Sequence, residues 1–363
     1  MALPSEAQVL EALSRIQDPD LHRDIVSLGM IKDLRIGGDG VVAFTFELTT
    51  PACPVRDQFQ TQARELVGAL PGVKDVQLRM TSNVRPAFMQ RGDGEGNGRL
   101  IPGVKQTIAV ASGKGGVGKS TIAVNLAAGL AQTGAKVGLL DADIYGPSLP
   151  RMLGTAAQPK VVEDRLIPIE AHGLKLMSIG LLAGADKAMV WRGPLVGKAV
   201  EQFLADVTWG ELDYLVVDLP PGTGDASLTL AQRISLSGVV IVATPQDVAL
   251  DIAVKALQMF RTVNVTPLGL VENMSWYICP DCGHESHPFT HGTGEKTAER
   301  LGVPFLGAVP LEEAIREDAD RGAPIVVTRP DSPGAKALRQ IAEKVAAQSS
   351  IRSFRQLPVI NVR

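Results

Sequence analysis

The sequence predicts an α/β fold: a mostly parallel sheet covered by helices on both faces, preceded by a small N-terminal α+β domain. Three observations carry this expectation. From residue 105 onward, short and nearly continuous apolar runs alternate with helical segments, the pattern of strands buried on both faces of a parallel sheet. Residues 85–104 are rich in glycine, with Pro86 and Pro102 near the ends and little periodicity, as expected of a flexible linker. Ahead of it, helical spacing and strand-like alternation are mixed within one short stretch. The expected division is 1–84 for the small domain, 85–104 for the linker, 105–349 for the α/β domain, and an unpatterned tail at 350–363.

In the small domain, residues 5–16 space their apolar positions as a helix does. Two strand-like runs follow, GMIKDLRI and VVAFTFEL, parted by the turn-rich GGDG. A helix is expected over 55–70, and the breaker Pro71-Gly72 leads into a last strand, VKDVQLRM. In the larger domain the expected strands are TIAVAS, KVGLLD, DYLVVDLP, GVVIVATP, LGLVENM and PFLGAVP, with helices at 120–132 and 248–262 among them.

Bulk composition narrows the function classes. Of 363 residues, 45% are hydrophobic and 21% charged, so a core of useful size can form. The formal net charge of -3 gives no global basic field for nucleic acid. No apolar run approaches the ~18 residues that would span a bilayer. The cysteines are Cys53, Cys279 and Cys282, a poor basis for a disulfide framework. The first residues lack the charged-then-apolar pattern of a secretory signal. A cytoplasmic protein with reduced thiols, without nucleic-acid or membrane partners, is expected.

The clearest chemistry follows the first strand of the larger domain. Gly113-Lys114-Gly115-Gly116-Val117-Gly118-Lys119-Ser120 fits GxxxxGK[ST] between a strand and a helix, which makes this a P-loop NTPase pattern. Glycines let successive backbone N–H groups face phosphates, and the helix N-terminus adds partial positive charge. Lys119 is expected on the β- and γ-phosphates of ATP, and the Ser120 hydroxyl on Mg²⁺. Asp218 closes the apolar run LVVD, where a carboxylate holds Mg²⁺ directly or through water. The rigid turn Pro220-Pro221-Gly222-Thr223-Gly224-Asp225 follows it, and Asp141-Ala142-Asp143 closes another strand. Gln246 and Asp247 lie past a further strand end, where ligands of open α/β sheets gather.

Cys279-Pro280-Asp281-Cys282 is a CxxC, and on its own it is open to several readings: half a zinc site, a redox pair, or half a cluster site. His284, His287 and His291 keep a single-chain zinc site in contention. A thiolate count favours sharing. A [4Fe–4S] cluster commonly takes four thiolates, one chain offers two close together, and a two-fold dimer presents the same patch twice.

The loop form GKGGVGKS resembles the deviant Walker A class, which includes Mrp-type carriers, the nitrogenase iron protein and the cell-division and chromosome-partition ATPases. The resemblance implies that Lys114 reaches the nucleotide of a partner subunit in a homodimer, that Asp143 positions the attacking water, and that Asn273 contacts adenine. With DADIYGPS, WRGP, DLPPGTGD and ENMSWYICPDCG added, the chain from 105 to 347 closely resembles the Mrp family. That family implies iron–sulfur cluster carriage, slow ATP hydrolysis, client apoproteins and cluster donors. The N-terminal domain resembles the iron–sulfur-assembly-type module, through Asp18-Pro19, Ser27-Leu28-Gly29-Met30 and Thr49-Thr50-Pro51-Ala52-Cys53-Pro54. Cys53, between a strand and a helix start where thiolate is favoured, has two open readings: contact with a cluster or a client, or a buried structural cysteine. A partition or division ATPase shares the nucleotide motifs without the CxxC, and a nitrogenase-type reductase has its cluster cysteines far apart; both remain as alternatives to carriage.

Overall fold

The structure is a computed structural model and describes residues 2–87, 101–183, 206–290 and 292–355. Most of the expected linker, the WRGP motif at 191–194, His291 and the tail from 356 lie outside the described residues. The chain divides into two compact units, Met1–Arg85 with Ala346–Arg363, and Pro86–Val345.

In the first unit, α1 (Glu6–Leu13) starts at a reciprocal cap. The Gln8 backbone N–H donates to Ser5 Oγ at 3.3 Å while the Ser5 N–H donates to Gln8 Oε1 at 2.8 Å, satisfying two N–H groups that a helix start otherwise leaves open. The short strands β1 (Gln17–Asp18) and β2 (Arg23–Asp24) pair antiparallel. A second sheet joins β3 (Ile31–Ile36) and β4 (Val41–Leu48) antiparallel, and β4 to β5 (Asp75–Ser82) parallel across α2 (Arg56–Gly68). Strand β4 buries every second residue, as a sheet with one covered face requires. Val42, Phe44, Phe46 and Leu48 thus meet Val9, Leu13, Phe59 and Ala63 in one core. The Phe46 and Phe59 rings stack with centroids 5.4 Å apart.

In the second unit, the large sheet runs in the order β10-β11-β7-β12-β6-β13-β14-β15, with β16 also paired to β14. Its parallel members are β6 (Val104–Ser112), β7 (Val137–Asp141), β11 (Leu174–Ser178), β12 (Leu212–Asp218), β13 (Gly238–Ala243), β14 (Pro267–Ile278) and β16 (Phe305–Leu311). The antiparallel ends are β10 (Ile169–Ala171) and β15 (Glu285–Ser286). A separate hairpin pairs β8 (Lys160–Val162) with β9 (Arg165–Ile167). Strands β7 and β13 are buried along their whole length, as strands covered on both faces should be.

The helices of this unit are α3 (Lys119–Gln132), α4 (Leu149–Met152), α5 (Ile179–Ala183), α6 (Asp225–Arg233), α7 (Asp247–Thr262), α8 (Thr293–Leu301), α9 (Glu313–Arg321), α10 (Ile325–Thr328) and the start of α11 (Pro333–Arg355). Helix α11 continues past the expected boundary at 349. Its last turns belong to the first unit, where Phe354 packs on the core and the Arg85 guanidinium sits 4.1 Å above the Phe354 ring. Strand β14 is longer than the expected run LGLVENM, with 12 residues, and leads directly to Cys279. Among the described residues, no helix is long and apolar enough to cross a membrane.

Candidate functional site

The site forms where the parallel strands end. The phosphate loop leaves β6, the sheet strand flanked by β12 and β13, and Gly116 and Gly118 take φ of 79° and 82°, a region open to glycine at little steric cost. A Cβ on Gly113 would stand 2.7 Å from a backbone carbon of Ile252 in α7, so the loop can pass only as glycine there. Gly118 caps α3 with no side chain on the helix N–H groups. That leaves the first-turn donors available to an anion, with the helix dipole behind them. Each of these features fits a nucleotide's phosphates.

Lys119 opens α3 and is 6% exposed. Its Nζ is 2.5 Å from Asp218 Oδ1 and 3.8 Å from Asp143 Oδ2. The Ser120 hydroxyl donates to Asp218 Oδ2 at 2.6 Å. Asp218 is fully buried at the end of β12. Burial pushes its carboxyl up, and the adjacent Lys119 ammonium opposes that rise. Lys119, Ser120, Asp143 and Asp218 are therefore brought together, with one cation among two carboxylates and a hydroxyl. These are donors suited to Mg²⁺, a hard cation that favours oxygen ligands.

Asp141 is the residue here whose role is not visible in the sequence. It is register partner to Asp218 across β7 and β12 and has no exposed surface. Burial, and then the charge of Asp218, raise its carboxyl to about 7. It accepts from Ser178 Oγ at 3.0 Å and from the backbone N–H groups of Leu149 and Asp143 at 3.2 Å each, so it fixes the turn that carries Asp143. Asp143 in turn accepts from the N–H groups of Tyr145 and Gly146. On the other strand end, the Gly222 N–H donates to Ser112 O at 2.9 Å, tying the proline-rich turn to the root of the phosphate loop.

Asn273 is buried and its Nδ2 donates to Val117 O at 2.9 Å, fastening β14 to the phosphate loop. A cavity of about 400 Å³ opens beside it, lined by Gly118, Thr121, Arg151, Asn273, Leu311 and Glu312. The Lys114 carbonyl accepts from Ser112 Oγ at 2.9 Å. Gln246 and Asp247 form the start of α7.

Cys279 and Cys282 sit in the turn between β14 and β15. The turn is closed by Cys279 N–H on His284 O at 3.0 Å and by Gly283 N–H on Cys279 O at 2.9 Å. Backbone N–H groups of Cys282 and Asp281 aim at the Cys279 sulfur and hold its thiol below the usual range. Cys282 is exposed and Cys279 half-buried. Among the described residues, no group of three or more His, Cys, Asp or Glu side chains is placed to hold a metal ion.

Cys53 is half-buried. Burial, with smaller contributions from Asp18 and Asp20, raises its thiol to about 11. The helix that should have favoured thiolate begins at Arg56, with Val55 as its cap. The sequence shows the nearby helix but neither the burial nor the two carboxylates.

The family model described as the NUBPL iron-transfer P-loop NTPase matches residues 103–346. The chain belongs to the NUBPL iron-transfer P-loop NTPase family. A second model, the iron-sulfur cluster assembly protein family, matches residues 6–78, within the first unit. Among relatives of the NUBPL-type chain, the iron-sulfur cluster carrier protein of Deinococcus radiodurans is 49% identical, covering 96% of this chain and 97% of that protein. The protein of the same name from Escherichia coli K12 is 44% identical over 94% of this chain and 92% of its own length. The iron-sulfur cluster transfer protein NUBPL of Dictyostelium discoideum is 50% identical over 69% of this chain and 79% of its own. Among solved structures, a nucleotide-binding protein of Archaeoglobus fulgidus in complex with ADP is 38% identical, with TM-score 0.57, 64% of this chain and 91% of that one covered. The Pyrococcus furiosus cell division ATPase MinD, 23% identical with TM-score 0.50 over 66% of this chain and 98% of its own, shares the fold.

Proposed function

We propose that this protein binds iron–sulfur clusters and transfers them to apoproteins, with a [4Fe–4S] cluster bridged across a homodimer by Cys279 and Cys282 of each copy. The observation that carries this reading is the thiol turn itself. It holds one sulfur against two backbone N–H groups, leaves the other exposed, and offers no third ligand from the described residues. Two such turns supply the four thiolates a cluster commonly takes. The names of the relatives support the same cargo.

The nucleotide half is read as an ATPase with Mg²⁺ held by Ser120 and Asp218, Lys119 on the phosphates and Asp143 positioning water. Mg²⁺ supplies charge neutralisation on the phosphate oxygens. The cavity beside Asn273 suits the adenine, and Lys114 acts on the nucleotide of the partner copy. Turnover is slow, because a carrier needs timing rather than flux. Thiolate ligands of this kind fit the reducing cytoplasm. The test is transfer. Reconstituted protein mixed with an apo-ferredoxin should pass its cluster on, read by the circular dichroism of the acceptor, at a rate above that of free iron and sulfide. A rate equal to the free-ion control contradicts carriage.

A further inference from the structure

Outside the nucleotide site, Glu272 is a buried carboxylate with three polar contacts. It is 1% exposed, lies in β14 and is used by none of the chemistry above. Its carboxylate accepts from Ser275 Oγ at 2.5 Å and from the Gly294 N–H at 2.6 Å, with Thr293 Oγ1 at 3.3 Å. Gly294 is in the first turn of α8, whose cap, Gly292, has no side chain to satisfy the helix N–H groups. Glu272 does so from another element, with the helix dipole favouring its charge. A Cβ on Gly294 would stand 2.6 Å from Glu272 Oε2, so the glycine is what lets the carboxylate reach the helix.

These contacts fall at the two roots of the cysteine arm. Ser275 precedes Cys279 on the outgoing strand, and Thr293 and Gly294 follow the returning chain. The return is pinned a second time, because Thr290 Oγ1 and Thr293 Oγ1 both donate to Pro245 O, at 3.0 and 2.9 Å. We infer that Glu272 is the positioning residue of the cluster-binding arm: it clasps both roots and so fixes where the Cys279 and Cys282 thiols point. This rests on the carrier reading above. From Ser275 to Cys279 the chain can span at most about 13 Å, so a rotation of about 10° at the root displaces the sulfur by up to about 2 Å. A cluster shared by two arms is exposed to that error twice.

The experiment compares the full-length wild type with Glu272→Gln, Ser275→Ala and Thr293→Ser, each reconstituted anaerobically. The readouts are loss of cluster to the ferrous chelator bathophenanthroline disulfonate, the visible circular dichroism of the bound cluster, and ATP affinity. Glu272→Gln and Ser275→Ala should each release cluster at least fivefold faster and change the dichroism, with ATP affinity within twofold of wild type. Thr293→Ser, which keeps the hydroxyl, should behave as wild type. Hydrogen exchange of the cluster-free chains supplies an arm independent of cargo: amides across 276–290 should exchange at least tenfold faster in Glu272→Gln, and those of the phosphate loop should not. Release within twofold of wild type for both variants, or ATP affinity falling in step with cluster loss, overturns the inference. A wild type that takes up no cluster sinks the carrier reading, while the exchange arm still decides whether Glu272 holds the turn.

Discussion

Lys119 Nζ stands 2.5 Å from Asp218 Oδ1, and both groups are shut away from solvent. A buried pair of this kind contributes little net stability while intact and costs a good deal when one partner is removed. The same two residues are the ones proposed above to hold the phosphates and Mg²⁺. Stability and nucleotide chemistry therefore meet at one contact.

Lys119→Ala should abolish ATP binding or turnover, since the phosphates lose a point charge in a site of low dielectric. It should also destabilise the unliganded protein by about 3 kcal/mol, because Asp218 is left buried without its cation. Nucleotide titration and urea unfolding check the two parts separately. Unchanged ATP affinity contradicts the assignment of the loop.

Lys114→Ala should lower hydrolysis more than nucleotide binding, as a residue acting across a dimer would. Mixing that chain with a hydrolysis-dead Asp143→Ala chain should produce heterodimers whose two sites differ in turnover. Activity that falls in simple proportion to the amount of each chain counts against action across the interface.

The raised carboxyl of Asp141 gives a pH signature with a definite sign. An acid lifted from 3.8 to about 7 by folding binds its proton more tightly in the folded chain. Its contribution is fully present below the unfolded value and is lost as pH rises through 7. Asp141→Asn removes this dependence. The substitution should therefore cost most at pH 5.5 and least at pH 8 in urea unfolding. Equal cost at both values means the carboxyl does not titrate in this window.

Cys53, with its thiol near 11, should be alkylated by iodoacetamide at pH 7.5 at least tenfold more slowly than Cys279, because thiolate is the reacting form. Peptide mass spectrometry over time separates the two. Equal rates would restore Cys53 as a reactive residue and remove the effect of burial.

Much of the fold is legible in the sequence because its signals are local. Gly113 to Ser120 names a loop between a strand and a helix by spacing alone, and Asp218 is marked by the apolar run it closes. What is not legible depends on distance along the chain. Asp141 and Asp143 look alike as letters, and only the neighbouring strand end with Asp218 makes one of them a buried, raised acid. Glu272 reads as one more charged residue until Gly294, far along the chain, is brought against it. The stretch after 349, expected to be an unpatterned tail, is helical to Arg355, and Phe354 packs on the apolar core of the first unit, a partner the local pattern of IRSFR does not reveal.

The central claim is the shared cluster, and its most direct measurement is iron and acid-labile sulfide per chain after anaerobic reconstitution, taken with the particle mass by sedimentation. About two iron and two sulfide per chain are expected in a particle of two chains, which is one [4Fe–4S] per dimer. Most of that iron should be lost in Cys279→Ala and in Cys282→Ala, with ATP binding kept. One zinc per chain with no sulfide, or a cluster that survives both substitutions, would contradict the shared cluster.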